Sequence, residues 1–271
     1  MREFVVIKWG GGLITNKSSL CTPENEVIDS LSQVMNECID SGLGIILVHG
    51  AGSFGHLRAK HWQLHRGYLE EKFELQDDCK TQLEAVDLVR KEMLDLNQII
   101  VNSLAENGIS AKSLPPHQWA RNTGSNFTGD VANLFSGQSN NVYVTFGDVV
   151  DCDGDEKFGI LSGDDLVVRL SIELPNVIRL VFAIGGVDGI LKRPPNVSGP
   201  EDLIPVWSSN TDFVGYHDTN IDVTGGIGLK ATRGLEVAKT GIEVIIVNGQ
   251  VPKRVYDACM GLETIGTRIV G

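Results

Sequence analysis

The stretch "HGAGSFGH", residues 49–56, decides how this chain is read. Gly50, Gly52 and Gly55 spell G-x-G-x-x-G directly after the apolar run "GIILV" at 44–48. Glycines let the backbone approach an anion, and a helix start offers N–H groups with partial positive charge. The loop therefore suits phosphate, either the pyrophosphate of a dinucleotide or another phosphate-bearing ligand. The dinucleotide fold carries its fingerprint on the first strand-to-helix turn, with an acid about 20 residues on, at the end of the next strand. Here the first such turn is Lys8-Trp9-Gly10-Gly11-Gly12, and the fingerprint sits on the second. Glu70 and Glu71 have the right spacing but lie in "GYLEEKFELQDD", which does not read as a strand end. No G-x-x-x-x-G-K-[ST] loop occurs either. The loop asks for a different phosphate ligand.

Outward from the loop, strand and helix signals alternate. "EFVVIKW" (3–9) reads as a buried strand. Thr22-Pro23-Glu24 reads as cap, first-turn proline and early acid of a helix running to about Ser41, with Gly42 as its stop. A second long helix is expected from Asp77 to about Asn107, ended by Gly108. "NVYVTFGDVV" (141–150) reads as one strand, and "DCDGDEK" as the turn of a hairpin leading to "FGIL". That acidic turn is a poor calcium loop, because its glycine comes too early and the later glutamate is missing. A helix over 163–174 and the strand "VIRLVFAI" (177–184) follow. "LKRPPNVSGPEDLIPVWSSN" (191–210) reads as an excursion from the sheet. Then come a glycine loop opening a helix at 224–241, the strand "IEVIIV", and an edge strand in "GLETIGTRIV". The pattern predicts a three-layer α/β/α sandwich with a largely parallel central sheet. One domain of 1–271 is expected, with two lobes on one continuous sheet, 1–160 and 161–271.

Bulk properties narrow the function. The 271 residues are 42% hydrophobic, enough for a sizeable core. A net charge of −12 argues against nucleic acid or an anionic membrane as partner. The five cysteines are scattered with no C-x-x-C pair, which predicts a reducing compartment and no zinc site. No apolar run approaches ~18 residues, so a cytoplasmic protein without a membrane span is expected.

Three glycine-rich turns each follow a strand or open a helix: Gly10–Gly12, the loop ending in His56, and Gly225-Gly226-Ile227-Gly228. Lys8 and Lys17 flank the first, and Lys230 follows the third. Backbone N–H groups can cradle phosphate oxygens while ammonium groups supply point charge. Such a site is built to neutralise and align anionic groups.

The motifs "KWGGG…TNK", "VHGAGSFGH", "FGD", "LSGDD", "GVDGIL" and "DVTGGIGLK" run in order over almost the whole chain. Together they resemble the amino acid kinase family, most closely its isopentenyl phosphate kinases. The S-F-G-H ending of the second loop is the most specific element, and fosfomycin kinases are similar at this spot. The resemblance implies ATP, with Mg2+ carried on it, and a homodimer. It implies that Lys8, Gly10, Gly11 and Gly12 hold the ATP phosphates and that Lys17 stabilises the transferring group. Ala51 and Gly52 would present N–H groups, Gly52 toward the nucleotide as well, and His56 would hold the acceptor phosphate. Gly147 is implied as the acceptor-side turn and Asp164 as the acid that orients the lysines. Asp165, Gly226 and Lys230 fall on the nucleotide side. Two departures stand out: Gly12 where a serine is usual, and "IGGVDG" in place of T-D-V-D-G. Phe73, Leu75, Val86, Val89 and Met93 could wall an apolar pocket for a short prenyl chain, or simply pack a core. A fosfomycin-type kinase would need fewer large walls. Intact Lys8, Lys17 and Lys230 argue against a sensor that binds without turnover.

Overall fold

The computed structural model describes residues 2–16, 18–70, 78–135, 141–210 and 226–271. Lys17 and Phe73, both expected in the site, lie outside the described residues, as do Leu75 and Asp77.

β1 (Phe4–Trp9) enters a tight turn and the one-turn helix α1 (Gly11–Ile14), then α2 (Asn25–Asp40) leads to β2 (Gly44–His49). The second loop opens α3 (His56–His61), and α4 (Gln82–Glu106) leads to β3 (Ala111–Ser113). α5 (Val131–Phe135), β4 (Val142–Phe146), β5 (Asp148–Asp151), β6 (Phe158–Leu161), α6 (Gly163–Glu173) and β7 (Val177–Ile184) follow. β8 (Val206–Trp207), α7 (Gly226–Ala238), β9 (Glu243–Asn248), α8 (Pro252–Met260) and β10 (Thr267–Ile269) complete the chain. Eight strands form one sheet in the order β3-β4-β2-β1-β7-β9-β10-β8. The first six are mutually parallel, and β10 turns antiparallel to β9.

Alternation along β1 sorts the two cores. Val5, Ile7 and Trp9 face the layer of α2, α4 and α8, whereas Val6 faces that of α5, α6 and α7. Lys8 shares the parity of Val6, so its side chain runs toward α6. From β1 the chain first builds leftward through β2 and β4, then rightward through β7 and β9. The loops after β1, β2 and β7 consequently open at the C-terminal strand ends around the point of reversal, where open α/β sheets hold ligands. No helix among the described residues is long and apolar enough to cross a membrane.

Four expectations need correction. α2 begins at Asn25, because Pro23 pairs with Thr15 in an isolated bridge and Glu24 N donates to Ile14 O at 2.9 Å. α4 begins at Gln82, where the Thr81 hydroxyl accepts from Glu84 N. "NVYVTFGDVV" is two strands, not one. At Gly147 the chain leaves the large sheet, and β5 pairs with β6 in a separate hairpin. The α6 N-terminus crosses there so closely that a Cβ on Gly147 would lie 3.1 Å from Gly163 N. Finally, β10 is not the edge. The 191–210 excursion returns as β8 and caps the sheet outside it.

Candidate active site

The loops after β1, β2 and β7, together with the start of α6, line one cavity of about 440 Å³. Lys8 stands at the end of β1, 5% exposed, and its Nζ donates to the Asp164 carboxylate. Lys230, one turn into α7, reaches the other Asp164 oxygen at 3.4 Å and Gly226 O at 3.2 Å. Asp164 is held on the first turn of α6, where the Ser162 hydroxyl accepts from its backbone N–H at 3.1 Å. Burial opposes ionisation of Asp164, but Lys230 and Lys8 outweigh it and hold the carboxyl below the usual range. One fully buried carboxylate thus sets the spacing of two ammonium groups facing the cavity.

Around these charges lie backbone donors. Among the described residues, the amides of Gly11, Gly12, Ala51 and Gly52 bond to no main-chain acceptor, and all four residues line the cavity. His56 opens α3 and lines the cavity, as does Gly147 at the end of β4. Apolar side chains complete the lining, among them Leu57, Val89, Met93, Val149 and Ile160.

Most expected site residues therefore converge: Lys8, Gly10, Gly11, Gly12, Ala51, Gly52, His56, Gly147, Gly226 and Lys230 share this cavity, with Asp164 beneath. Asp165 does not join them. One residue further round α6, it accepts from Arg233 at 2.8 Å and borders a neighbouring cavity instead. The two departures from the family pattern meet each other, since a Cβ on Gly185 would lie 3.0 Å from Gly12 O. Val86, Val89 and Met93 all pack in the core of the α2, α4 and α8 layer, and Val89 and Met93 also line the cavity.

Sequence reasoning missed three supporting residues. Thr15 is buried between the first two loops, its hydroxyl accepting from Ser53 N at 2.9 Å and donating to Gly11 O at 2.8 Å. Asp148 accepts from His117 Nδ1 at 2.6 Å and His117 N at 3.1 Å, which anchors the Gly147 turn. Ser162 caps α6 and could have been found from its S-x-x-D spacing. The pairing of His117 with Asp148 spans 31 residues and leaves no local trace.

Backbone amides from two adjoining loops, with two ammonium groups spaced by one carboxylate, suit the transfer of a phosphoryl group between two anions. The protein class is a phosphotransferase. Residues 3–248 match the amino acid kinase family, and the chain belongs to that family. It is 32% identical to an isopentenyl phosphate kinase of Methanothermobacter thermautotrophicus, over 98% of this chain and 99% of the relative. A solved isopentenyl phosphate kinase superposes with a TM-score of 0.79 at 27% identity, covering 99% of this chain and 100% of that one. The product complex of the T. acidophilum isopentenyl phosphate kinase gives 0.76 at 26%, covering 98% and 99%.

Proposed function

We propose that this chain is an ATP-dependent kinase that converts isopentenyl phosphate to isopentenyl diphosphate. The observation that carries the reading is the composition of one cavity. Its lining combines Lys8, Lys230 and the glycine turns with the apolar side chains Leu57, Val89, Met93, Val149 and Ile160. An acceptor with an anionic head and a short hydrocarbon tail matches both kinds of lining; a small epoxide would leave the apolar side chains without a partner.

In this reading an oxygen of the acceptor phosphate attacks the γ-phosphorus of ATP. A new P–O bond forms, the bond to the β-phosphate oxygen breaks, and ADP leaves. No side chain need remove a proton, because the attacking oxygen already carries charge. Lys8 and the Gly10–Gly12 turn take the ATP phosphates, Lys17 the transferring group, and His56 with the Ala51 and Gly52 amides the acceptor phosphate. Lys230 and Gly226 serve the nucleotide side. No group of three or more metal-ligating side chains occurs among the described residues, and Asp164 is occupied by lysines. Mg2+ would travel on the ATP phosphates. The same reading divides the chain into an acceptor lobe, 1–160, and a nucleotide lobe, 161–271, in a cytoplasmic homodimer.

The test is ADP release against isopentenyl phosphate, dimethylallyl phosphate, fosfomycin, acetylglutamate, carbamate and uridine monophosphate. Strong turnover of the prenyl phosphates is expected. Turnover of an amino acid or nucleotide with neither prenyl phosphate would sink the reading.

A further inference from the structure

α3, the six-residue helix that begins with His56, is short and packs against α4. Ala59 is its one buried side chain, and no side chain caps its N-terminus. Two side-chain contacts from α4 hold it. At the far end Gln82 donates to Trp62 O at 2.9 Å. At the near end the Arg58 Nε donates to Glu92 Oε1 at 2.9 Å, the two side chains being 10% and 8% exposed. Glu92 lies on α4 between Val89 and Met93, at helical spacing that puts all three on one face. Those neighbours also press on the loop before α3: a Cβ on Gly55 would lie 3.1 Å from Met93 Sδ and 3.2 Å from Val89 Cγ1. The same stretch of α4 thus supplies the apolar walls of the cavity and the anchor of the helix carrying His56.

We propose that Glu92 is a positioning residue for the acceptor. Through Arg58 it fixes α3, and so sets where His56 stands relative to Val89 and Met93. The pair couples the phosphate-binding end of the acceptor site to its tail-binding end. This rests on the reading that His56 holds the acceptor phosphate. Glu92 also meets the Cys21 thiol, but its action on the acceptor runs through α3, and its loss acts on acceptor binding, not on ATP.

A double-mutant cycle tests it. Glu92→Leu should raise KM for isopentenyl phosphate by about tenfold, because small misplacements of a binding group are costly, with KM for ATP unchanged. Glu92→Gln keeps an oxygen for Arg58 Nε and should retain most of the affinity. In a His56→Ala background, Glu92→Leu should add little. If Glu92→Leu does not yield folded protein, the pair replacement Arg58→Met with Glu92→Met removes both charges together and should show the same rise. A folded Glu92→Leu protein with normal acceptor KM overturns the inference, as does an equal rise with and without His56. If His56→Ala alone leaves acceptor KM unchanged, the reading of His56 fails and the inference falls with it. If His56→Ala raises KM and Glu92→Leu does not, only the inference fails.

Discussion

Gly11 and Gly52 pack backbone against backbone: a Cβ on Gly11 would lie 2.8 Å from Gly52 Cα and 3.1 Å from Ala51 N. Gly52 has φ +52, and Thr15 bridges the two loops from below. The turn after β1 and the loop after β2 are therefore one interlocked unit. In the proposed function the separation of the two phosphates is set by main-chain contact, which no side-chain rotation can relax.

Gly11→Ala should separate these loops. Overpacking a tight contact costs typically 1–3 kcal/mol, so on the order of that loss is expected in thermal unfolding. Misalignment should lower kcat by on the order of 10²-fold. Normal kcat in a folded Gly11→Ala protein would show that the loops do not set the phosphate separation.

Asp164→Asn removes the negative charge between Lys8 and Lys230 and leaves two ammonium groups facing each other. A fall in kcat on the order of 10²–10³ is expected, the typical cost of losing one preorganised electrostatic group. Steady-state kinetics with ATP varied, alongside Tm, checks this. A variant that loses only Tm would assign Asp164 to folding alone.

His49 gives a pH prediction. Burial pushes its imidazole down to about 4, against weaker upward pulls from Gly50 O and Asn97. Between its ordinary value of 6.5 and about 4, the unfolded chain binds a proton that the folded chain refuses. Stability therefore rises with pH through this window and is lost as pH falls through it. From pH 6.5 to 5 the loss from this group should be about 2 kcal/mol. Urea midpoints at pH 7 and pH 5 should differ more in the native protein than in His49→Gln. Identical pH dependence in the two would remove His49 as the cause.

Cys21 is exposed yet should react slowly. Partial burial, then the Glu92 charge, push its thiol up to about 11, with Arg58 pulling the other way. Thiolate is the reactive form, so alkylation near pH 8 should be slower than for a free thiol by on the order of tenfold or more. The other four cysteines are buried, which lets peptide mapping isolate the signal. Glu92→Gln should speed the reaction. Alkylation at the rate of free cysteine would contradict this environment.

The sequence by itself determined the alternation of strands and helices, the glycine turns and the lysines beside them. These are local properties: period along the chain, backbone freedom at glycine and helix stops such as Gly108. They were enough for the fold class and for the glycine turns and lysines that line the cavity. Only the tertiary structure decided which distant groups meet. Asp164 is 156 residues from Lys8 and 66 from Lys230, and nothing in local periodicity pairs them. Strand order puts β1 beside β7 and brings α6 across the end of β1, so Lys8, with the parity of Val6, runs into α6. The same crossing turns the chain out of the sheet at Gly147, where the hydrophobic pattern runs on unbroken. Asp165, next to Asp164 in sequence, goes to Arg233 because one step along a helix rotates a side chain by about 100°. Periodicity fixes the face on which a residue lies; what stands opposite that face is a property of the packed sheet.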